Sequence, residues 1–222
     1  RPAVIRLYDE VSTEKEVKRV LGISARGSYM VVGFDGFKEF VDLEEAKVVE
    51  ICTALGGKDL GSEAGWKWWN HRYDFYFPPR LKSLPRMYGT TDTVATFAHI
   101  EEIYRAKKEI IESKYKDWGA YYLAHFSHWY PWGAMIYDQF IVDEPPQDPR
   151  EALLLHNQIW ADAARASLAH GGVLNEHHGI GIKLGWLMKE QYGPAWKALQ
   201  AVKDALDPNG IMNPGKLGFA LR

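Results

Sequence analysis

Two neighbouring β-rich segments in the middle of the chain constrain the fold most strongly. Residues 120–129 and 134–142 are rich in aromatic and β-branched side chains, and only the tetrapeptide YPWG at 130–133 separates them. Proline and glycine are typical turn residues, and so short a connection joins strands only as an antiparallel hairpin. The sequence therefore predicts an antiparallel sheet that contains this hairpin.

Helical segments alternate with the predicted strands. Residues 38–55, 98–116 and 150–170 carry apolar side chains at helical spacing, and glycines follow the first and the last of them. Residues 58–61 are interpreted as a short strand, and residues 62–72 as irregular. The pair Pro78-Pro79 predicts a break. The pattern indicates an α+β fold, an antiparallel sheet with flanking helices, with two ferredoxin-like halves as one form of it.

Composition excludes several classes of protein. There are 27 basic and 29 acidic residues and the pI is about 6.5, so no nucleic-acid partner is expected. No apolar run approaches the roughly 20 residues of a transmembrane helix. The single cysteine, Cys52, excludes an internal disulfide and favours a reducing compartment, so we expect a cytoplasmic location.

The first residues suggest that the chain belongs to something longer. It begins at Arg1, without an initiator Met, and enters a β-rich run at residues 4–8 almost at once. Native N-termini rarely begin in this way. We therefore expect a fragment of a larger protein.

The loop NEHHGIG at residues 175–181 is the densest cluster of chemically active side chains. Adjacent histidines beside a carboxylate suit a tight loop that converges on a ligand, and imidazole exchanges protons near neutral pH. A polar loop that caps a helix remains the alternative. The G-x-G here lacks the third glycine and the βαβ context of a dinucleotide fingerprint.

The hairpin is the second candidate for chemistry, because one of its faces is polar and aromatic. Regular alternation predicts two faces for the first strand: Tyr121, Leu123, His125, Ser127 and Trp129 on one, and Tyr122, Ala124, Phe126, His128 and Tyr130 on the other. In the second strand, Met135, Tyr137, Gln139 and Ile141 share a face. An aromatic-rich sheet with satisfied hydroxyl groups is the alternative interpretation.

Two weaker features complete the set. Arg72 follows Trp68 and Trp69, and a guanidinium held near aromatic rings could bind a carboxylate or phosphate, or form a surface ion pair. The ending DPNGIMNPGK at residues 207–216 indicates, by its turn residues alone, only a terminal turn.

Taken in order, HHGIG at 177–181 and DPNGIMNPGK at 207–216 resemble two motifs in the C-terminal half of FAD-linked oxidases of the vanillyl-alcohol oxidase type. IRLYD at 5–9 resembles the first strand of the cap domain of that family. The resemblance spans nearly the whole chain. It implies that residues 1–222 are the substrate-side cap domain, that FAD is the cofactor, and that the partner is the protein's own N-terminal FAD-binding domain, absent from this chain.

Within the family, the details resemble the alkyldihydroxyacetonephosphate synthase branch, which carries H-H-H-G-x-G, a hairpin tyrosine, and an arginine ahead of an aspartate. Here Glu176 replaces the first of the three histidines, while Tyr137 and Arg72 fit the other two positions. The residues that the resemblance implies for the site are catalytic Tyr137, His177 and His178, substrate-binding Arg72 and His128, and cofactor-binding Arg6, Asn213 and Lys216.

The implied activity of the full-length protein is FAD-dependent oxidoreduction of a small hydroxylated or glycerone-phosphate-like substrate, with this chain inactive alone. One alternative is the cap of a metal-dependent D-2-hydroxyacid dehydrogenase. In it His128 matches the first metal ligand, but Tyr137 stands where the second would be. A neutral phenol is a poor ligand, so we expect no metal. A non-catalytic binding module is the other alternative, and a homodimer is left open.

Overall fold

The chain folds around a single six-stranded antiparallel sheet, which confirms the predicted α+β class. The structure is a computed structural model that describes residues 1–75 and 87–220. The strands are β1 Val4–Tyr8, β2 Tyr29–Gly33, β3 Met87–Thr96, β4 Ala120–Tyr130, β5 Gly133–Val142 and β6 Val173–Leu174. Their order in the sheet is β2-β1-β4-β5-β3-β6. The hairpin predicted from the sequence is β4–β5, at the centre of this sheet.

Helices lie between the strands along the chain. They are α1 Glu10–Ser12, α2 Lys18–Leu21, α3 Lys38–Ala54, α4 Gly61–His71, α5 Ile100–Lys114, α6 Pro149–Ala169, α7 Met188–Tyr192 and α8 Trp196–Leu206. A π-helical segment, Thr13–Val17, joins α1 to α2. Local chemistry sets the ends of the helices: Asp148 caps the start of α6 by accepting two backbone N–H bonds, and Gly22, at φ +63°, ends α2.

One face of the sheet is the main core, and α5 and α6 cover it. Fully buried Tyr122, Ile136 and Phe140 of β4 and β5 lie in one apolar cluster with Ile103 of α5 and Ile159 of α6. Burial of this apolar surface is the main stabilising contribution to the fold. The helices therefore leave the opposite face of the central strands for other groups.

A smaller cluster lies at the β1–β2 end of the sheet. Tyr8 and Tyr29 pack there with Leu21 of α2, Trp68 of α4 and Phe75. The indole N–H of Trp68 donates to the hydroxyl of Tyr8 over 2.9 Å, which satisfies both polar groups inside the cluster. This cluster fixes α4 beside the edge of the sheet.

Two local predictions are wrong in this region. Residues 58–60 form no strand, and residues 62–72 are largely α-helical rather than irregular, since α4 runs over Gly61–His71. Gly65 inside the helix weakens its propensity, but burial of Trp68 compensates through tertiary packing. The break predicted at Pro78-Pro79 lies outside the described residues.

The helix α3 was predicted correctly, but it does not belong to the core of the described chain. None of its residues is buried by the rest of the described chain, and Phe40, Leu43 and Ile51 are between 57 and 67% exposed. Periodic apolar residues predict a helix, and they predict burial only when a partner is present. Among the described helices, none has both the length and the apolar character needed to cross a bilayer.

Candidate functional site

A β-bulge in β4 determines which side chains of the hairpin share a face. The pairing with β5 shifts register between Phe126 and His128, so Ser127 is an extra residue without a partner in the ladder. His128 therefore shares a face with His125, and Trp129 joins the main core face with Phe126. The strict alternation predicted from the sequence is wrong from Ser127 onward.

A row of polar and aromatic residues crosses four strands on the face opposite α5 and α6. In the strand register Tyr8 of β1 pairs with His125 of β4, His125 with Tyr137 of β5, and Tyr137 with Asp92 of β3. Directly paired residues lie on the same face of an antiparallel sheet. The row therefore places four hydrogen-bonding side chains in one line on the rigid strands of the sheet.

The phenol ring of Tyr137 is the centre of this arrangement. His125 stacks on it, with 4.8 Å between ring centroids. The rings of His177 and His178 lie 6.0 and 5.2 Å from it, and the plane of the His178 ring meets that of the phenol at 79°. His128 extends the group, at 5.4 Å from His177. The structure thus brings together four of the predicted site residues, Tyr137, His128, His177 and His178.

The short strand β6 delivers the two histidines by pairing with the edge of β3. Immediately after β6, the amide of Asn175 donates to the backbone oxygen of Asp92 over 3.0 Å. Asn175 has φ +56°, a left-handed conformation that asparagine tolerates better than most residues. The chain turns sharply here, so His177 and His178 return over the row.

The carboxylate of Asp92 lies beneath this turn and is fully buried. Its Oδ2 accepts the backbone N–H of Glu176 and, over 3.3 Å, that of His177. Its Oδ1 lies 2.6 Å from Nδ1 of His178, an ion-pair distance. One buried acid therefore contacts three consecutive residues of the loop.

Glu176 connects the loop to the end of β4. Its carboxylate accepts a hydrogen bond from the hydroxyl of Tyr130 and lies 3.0 Å from Nδ1 of His177. Burial acts to raise the pKa of Glu176, but the bond from Tyr130 and the nearby His128 and His177 outweigh it, so the pKa is below its usual value. Glu176 is therefore an anion at neutral pH.

His125 differs electrically from the other histidines. Burial lowers its pKa well below the usual value, and the positive charges of Arg6, His128 and His177 lower it further. His125 is therefore neutral at physiological pH. A neutral ring stacked on Tyr137 adds no fixed charge to the phenol, and it offers one N–H donor and one acceptor.

The remaining predicted residues lie at the edges of the site or away from it. Arg6 of β1 is close enough to act electrostatically on His125. Arg72 ends α4, and its guanidinium lies on the rings of Trp69 and Tyr73, at 3.9 and 4.5 Å from their centroids. Within the described residues, these aromatic contacts hold Arg72 at the end of α4.

Asn213 and Lys216 belong to the C-terminal tail, residues 207–220. This tail docks on the histidine loop, residues 175–181. The amide of Lys216 donates to the backbone oxygen of Asn213 over 3.3 Å, and the next residue, Leu217, donates to the backbone oxygen of Gly181 over 3.0 Å. The sequence motifs at 177–181 and 207–216, far apart along the chain, therefore meet in space.

The same side chains offer ligand atoms suited to a metal ion. One group is His128, Glu176 and His177, and another is Asp92, His177 and His178; within each group the ligand atoms lie within 4.8 Å of one another. Imidazole and carboxylate ligands suit zinc and related divalent ions. The site therefore contains groups for proton transfer and also a possible set of metal ligands.

Sequence reasoning missed Asp92, His125 and Tyr130 as members of the site. Asp92 did carry a signal, because an acid within a β-rich run of threonines is unusual unless it has a partner. His125 was placed on the polar face but not singled out. Tyr130 was assigned to the turn, yet it ends β4 and bonds Glu176.

Comparison with known proteins links this arrangement to one family. A model of the C-terminal domain of FAD linked oxidases matches residues 1–217. The chain is 28% identical to an alkyldihydroxyacetonephosphate synthase of Trypanosoma brucei brucei, over 97% of this chain and 39% of that protein. It is 25% identical to a probable mitochondrial D-lactate dehydrogenase of Danio rerio, over 83% of this chain and 36% of that protein.

The fold is shared with a solved structure as well. A crystal structure of an alkyldihydroxyacetonephosphate synthase superposes with a TM-score of 0.58 at 19% identity, covering 96% of this chain and 39% of the other. In each comparison, the chain therefore spans less than two fifths of the length of the protein that it matches.

Proposed function

The chain belongs to the family of FAD linked oxidase C-terminal domains, and from that membership we propose that it is the cap domain of an FAD-dependent oxidoreductase that acts on a small hydroxylated or glycerone-phosphate-like substrate. One observation carries the proposal: the phenol of Tyr137 lies among the imidazoles of His125, His177 and His178, on the sheet face opposite α5 and α6. Oxidation of a hydroxylated carbon requires a group that accepts a proton.

FAD, when bound, would supply the electron acceptor of the reaction. The residues of this chain supply proton transfer and orientation. Tyr137 and His177 exchange a proton with the substrate oxygen, and His178 is the third catalytic group of the proposal. Neutral His125 stacks on the phenol ring. Aromatic rings on this face suit a planar cofactor and help exclude water.

Binding of substrate and cofactor is assigned to the surrounding residues. Arg72 and His128 are proposed to bind the substrate, Arg72 through its anionic end, because a guanidinium pairs well with carboxylate or phosphate. Arg6, Asn213 and Lys216 are proposed to contact the cofactor. Support comes from the position of Arg6 beside His125 and from the docking of the tail on the histidine loop.

The test uses the full-length protein with its FAD. Tyr137→Phe and His177→Ala should each slow reduction of the flavin by about 10²- to 10⁴-fold, the range for loss of a proton-transfer group, with an unchanged FAD content. Glycerone phosphate and D-lactate are the first probes. Tyr88→Phe, at a 48% exposed tyrosine of β3, is the matched control. Loss of FAD with unchanged turnover per bound flavin would make the two residues structural.

A second candidate function is supported by the ligand group His128, Glu176 and His177. In a metal-dependent D-2-hydroxyacid dehydrogenase, a divalent ion held there would bind the hydroxyl and carboxylate of the substrate. Elemental analysis of the purified full-length protein distinguishes the two functions. One Zn or Mn per FAD, with activity lost on chelation, favours the dehydrogenase, and activity without metal favours the first function.

The partner of the chain is proposed to be an FAD-binding domain of the same protein. Its support is the family of the chain, since the matched relatives are more than twice as long as the chain. The proposed location is the cytoplasm, and it rests on the single cysteine. Expression of the full-length reading frame, followed by measurement of bound FAD, tests the domain partner directly.

A further inference from the structure

We propose that Glu176 is a positioning residue of the site, which holds His177 as the tautomer with its proton on Nδ1 and thereby leaves Nε2 of that ring as the proton acceptor. The inference deepens the proposed function and rests on it for its catalytic meaning. Glu176 acts through His177, and no contact with the substrate is assigned to it.

The backbone of Glu176 and His177 is fixed to the sheet by one acid. Both amides donate to Oδ2 of Asp92, the amide of His177 over 3.3 Å. Asp92 is fully buried in β3, which pairs with β5 on one side and β6 on the other. The two side chains therefore start from a backbone that is held by a rigid element, as a positioning role requires.

The side chain of Glu176 is held by a second strand. The hydroxyl of Tyr130, at the end of β4, donates to Oε1 of Glu176. The ring of Tyr130 stacks in turn on that of Trp132, with 4.9 Å between the centroids and 6° between the planes. Because Oε1 has this partner from the hairpin, Oε2 remains for the ring of His177.

The ring of His177 meets Glu176 through Nδ1. Oε2 of Glu176 and Nδ1 of His177 form a hydrogen bond of 3.0 Å. Oδ2 of Asp92 lies 3.7 Å from the same nitrogen, too far for a hydrogen bond but close enough to attract a proton there. Nδ1 therefore faces two acids, and the nearer one is bonded to it.

The chemistry of the carboxylate then selects the tautomer of His177. A glutamate is ionised at neutral pH, and an ionised carboxylate only accepts hydrogen bonds. In a neutral ring the proton of this bond must therefore lie on Nδ1, and Nε2 holds the free lone pair. The opposite tautomer would direct a lone pair at both acids. A neutral imidazole with Nε2 free can accept a proton from a hydroxylated substrate.

The exposure of the two side chains fits this division of tasks. His177 is 39% exposed, whereas Glu176 is 16% exposed. The imidazole of His177 also lies near the phenol of Tyr137, with 6.0 Å between the ring centroids. The histidine is thus the member of the pair that a substrate can reach, and the glutamate supports it from within the loop.

A metal ion bound by His128, Glu176 and His177 is the competing explanation of the same contacts. Both oxygens of Glu176 already have a hydrogen-bond partner, Tyr130 for Oε1 and His177 for Oε2. A cation at this carboxylate would compete with both bonds. The contacts therefore favour a role in positioning.

Nuclear magnetic resonance of the full-length protein with FAD, labelled with ¹⁵N-histidine, tests the inference. A His177→Gln variant identifies the His177 signals among the eight histidines, and spectra are recorded where that ring is neutral. We expect the Nδ1–H tautomer in the native protein and a shift toward Nε2–H in Glu176→Ala, which lacks the acceptor. An Nε2–H ring in the native protein, or an unchanged tautomer in the variant, would overturn the inference.

The chain offers a matched control for this measurement. Glu102 of α5 lies 3.1 Å from Nδ1 of His170, so it forms a second contact between a glutamate and a histidine, on a helix that covers the other face of the sheet. Glu102→Ala should leave the tautomer of His177 unchanged. The same shift in both variants would show that the tautomer does not depend on Glu176 in particular, against the inference.

Kinetics provide a second, separate measurement. Glu176→Ala should lower kcat by about 10²-fold with a small change in KM, the loss expected when a reacting group is misplaced. Glu176→Gln keeps an oxygen that can accept from Nδ1, so it should retain the tautomer and recover most of kcat. Glu102→Ala should keep the native kcat. If Glu176→Gln retains the tautomer but is as slow as Glu176→Ala, the charge of Glu176 matters rather than positioning, and the inference fails.

Failure of the inference can be told apart from failure of the proposed function. If the tautomer depends on Glu176 while neither Glu176→Ala nor His177→Ala slows flavin reduction, the positioning stands and the proposed catalysis is wrong. If His177→Ala is inactive but the tautomer does not depend on Glu176, the inference alone is wrong. One Zn or Mn per FAD, whose removal by chelation shifts the His177 signals, would favour the metal explanation and overturn it.

Discussion

The imidazole of His125 stacks face to face on the phenol of Tyr137, with 4.8 Å between the ring centroids and 13° between the ring planes. The pair joins two neighbouring strands at the centre of the sheet and belongs to the row that crosses it. The two residues of the pair have different roles. Tyr137 carries the proposed chemistry, and His125 links that chemistry to the stability of the fold.

Stability should depend on the protonation of His125. Its pKa is lowered by burial in the folded state, so the unfolded chain binds the proton more readily below the ordinary histidine pKa of 6.5. Stability is therefore fully present above about pH 6.5 and falls as the pH drops below it, by up to about 1.4 kcal/mol per pH unit for one proton. Urea unfolding between pH 5 and 8 measures this slope.

His125→Gln should reduce that slope, because the glutamine does not titrate. His99→Gln, at an exposed histidine that precedes α5, is the control and should leave the slope unchanged. The residual slope in His125→Gln should come partly from His156, whose pKa burial also lowers. An unchanged slope in His125→Gln would contradict the assignment.

The buried ion pair between Lys107 of α5 and Asp138 of β5 should be costly to break. The two charged groups lie 2.5 Å apart, both almost completely buried, and Tyr122 donates to the same carboxylate over 2.8 Å. Lys107→Met removes one partner and leaves a buried charge, which should lower the free energy of unfolding by about 3–5 kcal/mol. Denaturant titration at neutral pH checks the value.

Two further variants test whether the lost stability comes from the buried charge. Lys107→Met combined with Asp138→Asn should recover part of the stability, because the second change removes the orphaned charge. Lys38→Met breaks an exposed ion pair with Asp42 and should cost less than about 1 kcal/mol. A similar cost for the buried and the exposed lysine would show that the buried pair is not closed in solution.

The docking of the tail depends on the close approach of two glycines. A Cβ on Gly218 would lie 2.1 Å from the backbone oxygen of Gly185, while a Cβ on Gly179 would meet nothing within 4 Å. Both have φ near +77°. Gly179→Ala should therefore show only the backbone penalty, about 1–2 kcal/mol. Gly218→Ala should also displace the tail.

Hydrogen exchange reports on the tail directly. The amide of Leu217 donates to Gly181 across the junction, so its protection should fall in Gly218→Ala and remain in Gly179→Ala. Equal protection in the two variants would show that the glycine contact does not hold the tail.

Because α3 is exposed, truncation of an apolar residue on α3 should lower the stability of the chain much less than truncation of a core residue. Leu43→Ala on α3 should change the stability of this chain by less than about 0.5 kcal/mol, because Leu43 is 59% exposed. Ile103→Ala in α5 should cost about 2–5 kcal/mol, because Ile103 is fully buried. Thermal unfolding of the two variants measures the difference, and a comparable loss for Leu43 would mean that α3 is packed.

The sequence predicted the elements whose signals are local. The hairpin followed from its turn and its β-rich flanks, and α5 and α6 followed from helical periodicity, to within two residues at each end. The helix α4 was missed because Gly65 and three tryptophans do not form a regular apolar stripe. Packing of Trp68, which is not a local property, decides the structure there.

Only part of the site could be predicted, because the sequence shows local motifs but not the pairing of distant strands. Tyr137, His177 and His178 stood out because they lie in recognisable motifs. Asp92 did not, because its role arises from the pairing of β3 with β5 and β6, across many residues of chain. The position of His128 depended on the bulge, and an unpaired serine has no distinctive sequence signal.

The bulge at Ser127 makes the chemistry of this sheet depend on how β4 pairs as well as on which residues it contains. If the same residues paired regularly, without the bulge, the end of β4 would be rotated by half a turn. Trp129 would then lie on the face of Tyr137, and His128 would enter the apolar core. Deletion of Ser127 would instead keep the present faces, because the ladder already leaves that residue unpaired. In homologues, the presence of one spacer residue between the two faces should therefore matter more than whether that spacer is a serine.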